Sequence, residues 1–153
     1  MDYFKEKELH AYNCYKAGVP RKKVYAVVEK DDKFVVLHKE RSKYKYSLAG
    51  GGIEDGEDIE TAIKREALEE LNMQVEVVKT LGVIKDKSKW NYEGFDFLVD
   101  DEKTILYTKY VAEGNNTTFG VTGEFGSQDG VFEISKEEML STVAEFVKYG
   151  LKL

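Results

Sequence analysis

The run Arg65-Glu66-Ala67-Leu68-Glu69-Glu70, inside a helically patterned stretch from Ile59 to Leu71, constrains this chain more than any other feature. At about 100° per residue, Glu69 and Glu70 fall roughly 60° and 40° to either side of Glu66, so all three carboxylates leave one face of one helix. Like charges so spaced weaken a helix by about 0.2–0.5 kcal/mol per pair. Taken alone, the face is either a solvated acidic surface or a site for a cation. Hard divalent ions choose carboxylate, carbonyl and water oxygens, and Mg²⁺ in particular is commonly held by a few carboxylates together with substrate phosphates. Asp58 is the candidate N-cap, and the helix ends at Asn72. Immediately upstream lies a glycine-rich stretch, Ala49-Gly50-Gly51-Gly52, which reads as a loop leading into the helix.

The rest of the chain reads as one domain over residues 1–153. At this length, with 42% hydrophobic and 34% charged residues, it can bury one sizeable core and has the composition of an ordinary soluble protein. The N-terminal MDYFKEKELHAYNCYKAG is charged throughout and lacks the apolar run of a secretory signal or spanning helix, so a cytoplasmic protein without a membrane contact is expected. Cys14 is the only cysteine, which excludes an internal disulfide and a Cys-rich zinc site. A net charge of −6 gives no footprint for duplex nucleic acid. The local basic runs Arg21-Lys22-Lys23 and Lys39 through Lys45 are either solvated faces or attractors of a phosphorylated ligand.

Residues 24–29 and 34–38 are β-branched and aromatic runs around Lys30-Asp31-Asp32-Lys33, which predicts a hairpin of central strands. Short strands are expected at 74–78, 80–85, 93–99 and 105–112, with Asn91 and Asp100-Asp101 in turns. The glycine-rich segment 114–130 reads as a long loop, and such loops are often functional. Ser135 and Glu138 stand in capping-box spacing before a final helix over 136–149, stopped by Gly150, whose Met139, Leu140, Val143, Phe146 and Val147 form one core-facing stripe.

Glycine stretch and carboxylate helix together resemble the Nudix (MutT-like) family, whose signature is G-x5-E-x7-R-E-U-x-E-E-x-G-U with U a bulky aliphatic residue. In this chain Gly51 opens the box, Glu57 follows the five-residue gap, Arg65-Glu66 follow the seven-residue gap, and Glu69-Glu70 stand between Ala67 and Met73 at the U positions, so the box spans 51–73. Six of the seven fixed residue types match; at roughly 7% per residue type this arises by chance about once in ten million at a given register. Asn72 replaces the signature glycine, but after glycine it is the residue that best tolerates a left-handed helix terminus. Ala67 is small for its position, and Ala49 stands where many family members have proline.

The resemblance implies an α/β/α sandwich with a mixed central sheet between helices. It implies Glu66, Glu69 and Glu70 as catalytic and metal-binding carboxylates, with the Gly50 carbonyl and Glu124 as further ligands of Mg²⁺, or of Mn²⁺ in its place. Glu93, Asp96 and Glu113 are weaker candidates for the remote carboxylate, and the general base is Glu69 or Glu70, with His10 and His38 far behind. Gly51, Glu57, Arg65 and Asn72 would shape the loop and helix. The implied reaction is water attack at phosphorus in the diphosphate linkage of a small phosphorylated partner, a nucleoside diphosphate derivative or a nucleoside triphosphate. Tyr46 and Arg41 are the expected substrate contacts, Tyr46 belonging to an aromatic set near the cleft that also includes Tyr44, Trp90, Tyr92, Phe95 and Phe119. Similar proteins are commonly homodimers. A binding or sensor module that has lost turnover is the alternative, though such modules usually show eroded carboxylates. An isoprenoid diphosphate isomerase would want a reactive cysteine and further acids, which the lone Cys14 does not supply.

Overall fold

The computed structural model describes residues 3–38, 46–115 and 130–142. Along them run α1 (Tyr3–Ala17), β1 (Arg21–Lys30), β2 (Lys33–His38), β3 (Ala49–Gly52), α2 (Ile59–Leu71), β4 (Met73–Tyr92), β5 (Phe95–Glu113), β6 (Gly130–Ile134) and α3 (Lys136–Thr142). The strands form one mixed sheet in the order β4-β5-β1-β2-β6, with β3 also paired to β1. β1 is the spine, antiparallel to β2 and β3 and parallel to β5. Its Val24, Ala26, Val27 and Val28 are fully buried, as their unbroken apolar run predicts for a strand covered on both faces.

Each face has its own core. On one, Val24, Ala26, Val28, Val35 and Leu37 pack against Ala62, Ile63, Ala67 and Leu71 of α2. On the other, Val27, Phe34, Val36, Tyr46, Leu48, Ile105 and Ile134 pack with Met139 of α3. Burying each large aliphatic side chain here contributes about 1.5–3 kcal/mol, which is what fixes a helix on either side of the sheet. The predicted α/β/α sandwich is the observed fold, and the β1–β2 hairpin closes at Asp31-Asp32, both left-handed with φ 50° and 64°. Ser135 caps α3 as expected, its hydroxyl accepting from the Glu138 N–H at 3.1 Å, and the rest of the expected 136–149 helix lies outside the described residues.

Three local expectations are corrected. The glycine stretch is a strand: β3 pairs antiparallel with β1, Tyr25 opposite Gly50 and Val24 opposite Gly51. Glycines read as a loop signal, yet here they let two backbones close up, since a Cβ at Gly50 would overlap the Val24 carbonyl and lie 2.7 Å from Tyr25 Cδ1. The four short strands after α2 are two long ones, β4 and β5, in a single ribbon with register shifts at Gln74/Val75, Val77/Lys79 and Thr80/Gly82. Those bulges and the many charges break the alternation that sequence reading relies on. The ribbon turns at Glu93-Gly94, with φ 49° and 84°, whereas Asp100 and Asp101 lie inside β5. Asp101 is buried and takes a two-pronged ion pair from Arg21, Nε at 3.0 Å and Nη2 at 3.3 Å.

Helix α1 was not expected from the sequence. It packs across the distal half of the ribbon, Ala11 and Cys14 against Phe97 and Val99, with Tyr12, Trp90 and Tyr92 around them. Its end was legible in retrospect. Gly18 is left-handed at φ 68°, Gly18 N–H donates to Tyr15 O and Val19 N–H to Cys14 O, and Pro20 follows. That is the paired hydrogen-bond pattern of a glycine-terminated helix.

Candidate active site

Helix α2 starts and stops as its sequence dictates. Asp58 is extended and accepts from the Thr61 N–H at 2.7 Å, and Asn72 is left-handed at φ 54°, ψ 46°, its N–H donating to the carbonyls of Ala67 and Leu68. Gly114 packs so tightly on this end that a Cβ would lie 2.5 Å from Asn72 Oδ1. The 13 residues between the caps are thereby held in one rotational setting.

That setting buries Glu66 and Glu70, at 7% and 1% exposure, and leaves Glu69 half-buried. Arg65 organises the cluster. It reaches Glu57 in a two-pronged pair, Nε to Oε2 at 2.8 Å and Nη2 to Oε1 at 2.9 Å. It also donates to the Gly52 carbonyl at 2.9 Å, to Glu66 Oε1 at 3.0 Å and to Glu69 Oε2 at 3.3 Å. One guanidinium thus ties the end of β3, the loop acid and two helix acids together, which a lysine could not do. The Glu57 carboxyl is held below its usual range by the hydrogen bonds from Arg65, and these same bonds raise the arginine above its own. Burial and then the neighbouring Glu66 charge push the Glu69 carboxyl up, with Arg65 opposing.

The glycines of β3 complete the cradle. A Cβ at Gly51 would fall 2.6 Å from Glu66 Oε1 and 3.0 Å from its Cδ, so the carboxylate occupies the space a side chain would take. On the far side of Gly50, burial raises the Tyr25 hydroxyl to about 12, with Lys103 and Arg21 opposing and Glu70 adding to the rise. Oxygen donors on three carboxylates of one helix, with Glu66 pressed against the bare backbone at Gly51, suit a hard divalent cation. Glu70 adds Oε2, which is buried and accepts no hydrogen bond among the described residues. Arg65 now spans two of the three acids, and no three His, Cys, Asp or Glu side chains among the described residues already converge as a ligand set.

The remaining expected site residues divide sharply. Gly51, Glu57 and Arg65 meet Glu66 and Glu69 at the junction of β3 and α2, Gly50 stands next to Gly51 on β3, Glu70 lies on the same helix, and Asn72 terminates that helix. Tyr46 is buried in the second core rather than presented as an open surface. Arg41, Glu124, Tyr44 and Phe119 lie outside the described residues. Trp90, Tyr92 and Phe95 lie on the distal half of the β4–β5 ribbon. There Trp90 lies under the Arg21 guanidinium at 4.6 Å, and Tyr92 and Phe95 pack on Tyr12. Glu93 is in the ribbon turn and Asp96 accepts from Asn91 beside it. Glu113 accepts from the Tyr110 hydroxyl at 3.1 Å. His10 lies on α1, 3.8 Å from the Cys14 sulfur. Two surface cavities of about 400 and 530 Å³ also lie elsewhere, one along the ribbon at Lys85–Lys87 and Asp100–Glu102, the other against Lys64 and Leu68 on the back of α2.

Compared with known proteins, residues 19–144 match the NUDIX domain family, an extent that takes in both the sheet and the carboxylate helix. The chain belongs to the Nudix family. An ADP-ribose pyrophosphatase of Methanocaldococcus jannaschii is 33% identical over 81 residues, which are 52% of this chain and 47% of that protein, so the likeness spans about half of each. Among solved structures, a NUDIX-family hydrolase from Clostridium perfringens superposes with a TM-score of 0.59 at 15% identity, covering 83% of this chain and 90% of that one. A MutT protein from Methanosarcina mazei Go1 gives 0.53 at 17% identity, covering 86% and 91%. At such identities these structures show a shared Nudix fold. Helix α1 lies before the matched residues. No helix among the described residues is long and apolar enough to cross a membrane.

Proposed function

We propose that this Nudix protein is a Mg²⁺-dependent pyrophosphohydrolase that cleaves the diphosphate of a nucleoside diphosphate derivative such as ADP-ribose. The observation that carries the reading is the set of Glu66, Glu69 and Glu70 on α2, of which Arg65 ties Glu66 and Glu69 to Glu57 and Glu66 lies against the bare backbone at Gly51. Family membership and the ADP-ribose pyrophosphatase relative support the substrate class. Glu66, Glu69 and Glu70, with the Gly50 carbonyl, would hold the metal, and Mn²⁺ would substitute. When bound, Mg²⁺ neutralises phosphate oxygens and makes a coordinated water more acidic. The protein's share is to orient the diphosphate along β3, to exclude bulk water from the buried side of α2, and to take the proton of the attacking water on Glu69 or Glu70. Arg65 and Glu57 are positioning residues. We read residues 1–153 as one domain working in the cytoplasm.

The test is direct. ADP-ribose incubated with the protein and Mg²⁺ should yield AMP and ribose 5-phosphate by mass, and EDTA should stop it. Binding of ADP-ribose without any product would instead favour the alternative of a sensor module that has kept the fold and lost turnover.

A further inference from the structure

Glu69 and Glu70 stand in the last turn of α2, and that turn ends at Asn72. What meets this end is Gly114, the first residue after β5. Its N–H donates to the Asn72 carbonyl at 2.8 Å. A Cβ on Gly114 would lie 2.5 Å from Asn72 Oδ1, 3.0 Å from Leu68 Cδ2 and 3.1 Å from the Asn72 carbonyl carbon, all inside the ordinary contact distance of about 3.4 Å. Positive φ is confined, among the described glycines, to Gly18, Gly56 and Gly94. The backbone at Gly114 would therefore accept an alanine, and it is the space beside it that requires glycine.

The contact is held from both sides. Asn72 leads straight into β4 and Gly114 straight out of β5, and the two strands pair Met73 with Glu113 and Gln74 with Ala112. Glu113 is tethered further: Gln74 Nε2 donates to its carbonyl at 3.2 Å, and the Tyr110 hydroxyl to its carboxylate at 3.1 Å. Bulk added at Gly114 therefore bears on the helix end. It presses on Asn72, whose N–H closes the helix by donating to the Ala67 and Leu68 carbonyls, and on Leu68, directly before Glu69. Asn72 stands where the box signature has glycine, and the volume its side chain adds is taken up by the side chain Gly114 lacks.

We propose that Gly114 is a positioning residue for metal binding: by leaving room for Asn72 it sets the last turn of α2, and with it the carboxylates of Glu69 and Glu70. The assignment rests on the pyrophosphohydrolase reading above. Gly114 acts through Asn72 and Leu68, as the outer partners of metal ligands do, and loss of such a partner costs about 10- to 100-fold in metal affinity or activity.

Gly114→Ala, alone and combined with Asn72→Gly, tests the assignment. Binding of Mn²⁺, followed by electron paramagnetic resonance at a temperature where circular dichroism shows each variant folded, should weaken about tenfold in Gly114→Ala. The Mg²⁺ concentration for half-maximal turnover of ADP-ribose should rise by the same factor, with KM at saturating Mg²⁺ within about twofold of wild type. Asn72→Gly removes the 2.5 Å overlap, so the double variant should bind Mn²⁺ within about threefold of the Asn72→Gly single variant. Should alanine at 114 unfold the chain on its own, that comparison still decides, and a double variant that also fails to fold overturns the assignment. A lower melting temperature in Gly114→Ala with unaltered Mn²⁺ affinity, or a loss of affinity that Asn72→Gly does not relieve, would overturn it as well. A wild type that binds Mn²⁺ and responds to these substitutions yet releases no product would leave Gly114 in its role and sink the hydrolase reading. Normal turnover with Mn²⁺ affinity indifferent to Gly114 would do the reverse.

Discussion

Alanine at each of three consecutive glycines should produce three different outcomes, because the space beside each differs in kind. At Gly51 the new Cβ would lie 2.6 Å from Glu66 Oε1, whereas ordinary contact begins near 3.4 Å, so the carboxylate must retreat by about 0.8 Å. It sits at the tip of a flexible side chain, and the fold should lose less than about 1 kcal/mol. Catalysis should suffer far more, since misplacing a reacting group by about 1 Å costs roughly a hundredfold. At Gly50 the obstruction is the Val24 carbonyl, part of a buried ladder that cannot give way, and β3 should separate from β1 at a cost of about 3 kcal/mol or more. At Gly52 nothing lies within 4 Å, and alanine should be close to neutral for both properties. Thermal denaturation and initial rates with ADP-ribose and Mg²⁺ read the two axes separately. A fully active Gly51→Ala, or a Gly50→Ala as stable as Gly52→Ala, would refute the account of the cradle.

Asn72→Gly should be neutral or slightly stabilising and Asn72→Val should cost about 1 kcal/mol or more, because φ is 54° there; equal melting temperatures would contradict it. Asp101→Ala should cost about 3–5 kcal/mol by denaturant titration, since it leaves the Arg21 guanidinium without its buried partner. Burial pushes the Asp101 carboxyl up, but the hydrogen bonds from Arg21 and Ser88 outweigh it and hold it below the usual carboxylate range. Glu57 is likewise depressed, by Arg65, so its contribution is complete above the unfolded carboxylate value near pH 4.3 and is lost as pH falls through the lower folded value. Glu57→Gln should therefore melt lower than wild type at pH 7 and lose less of its stability between pH 5 and 3; parallel curves would count against the pairing.

What could be read from the sequence was local. Helix α2, its Asp58 cap and its Asn72 terminus are written within 15 residues, from 58 to 72, and all appear where expected. The carboxylate face follows from the same short stretch, and the Glu57–Arg65 pair from the family resemblance of the box that contains it. The ribbon was misread because Asp100-Asp101, a turn signal by composition, is stabilised in mid-strand by Arg21, 80 residues away in sequence. Helix α1 escaped because its apolar contacts are aromatic and scattered, and only Gly18-Val19-Pro20 marks its end.

The most direct test of the central claim is ADP-ribose turnover by wild type and by the Glu69→Gln, Glu70→Gln double variant across a Mg²⁺ titration, with product masses recorded. The account predicts Mg²⁺-dependent release of AMP and ribose 5-phosphate by wild type, abolished by EDTA, and a loss of at least about a hundredfold in the double variant at unchanged fold. Turnover by the double variant at the wild-type rate, or hydrolysis by wild type that persists in EDTA, would contradict it.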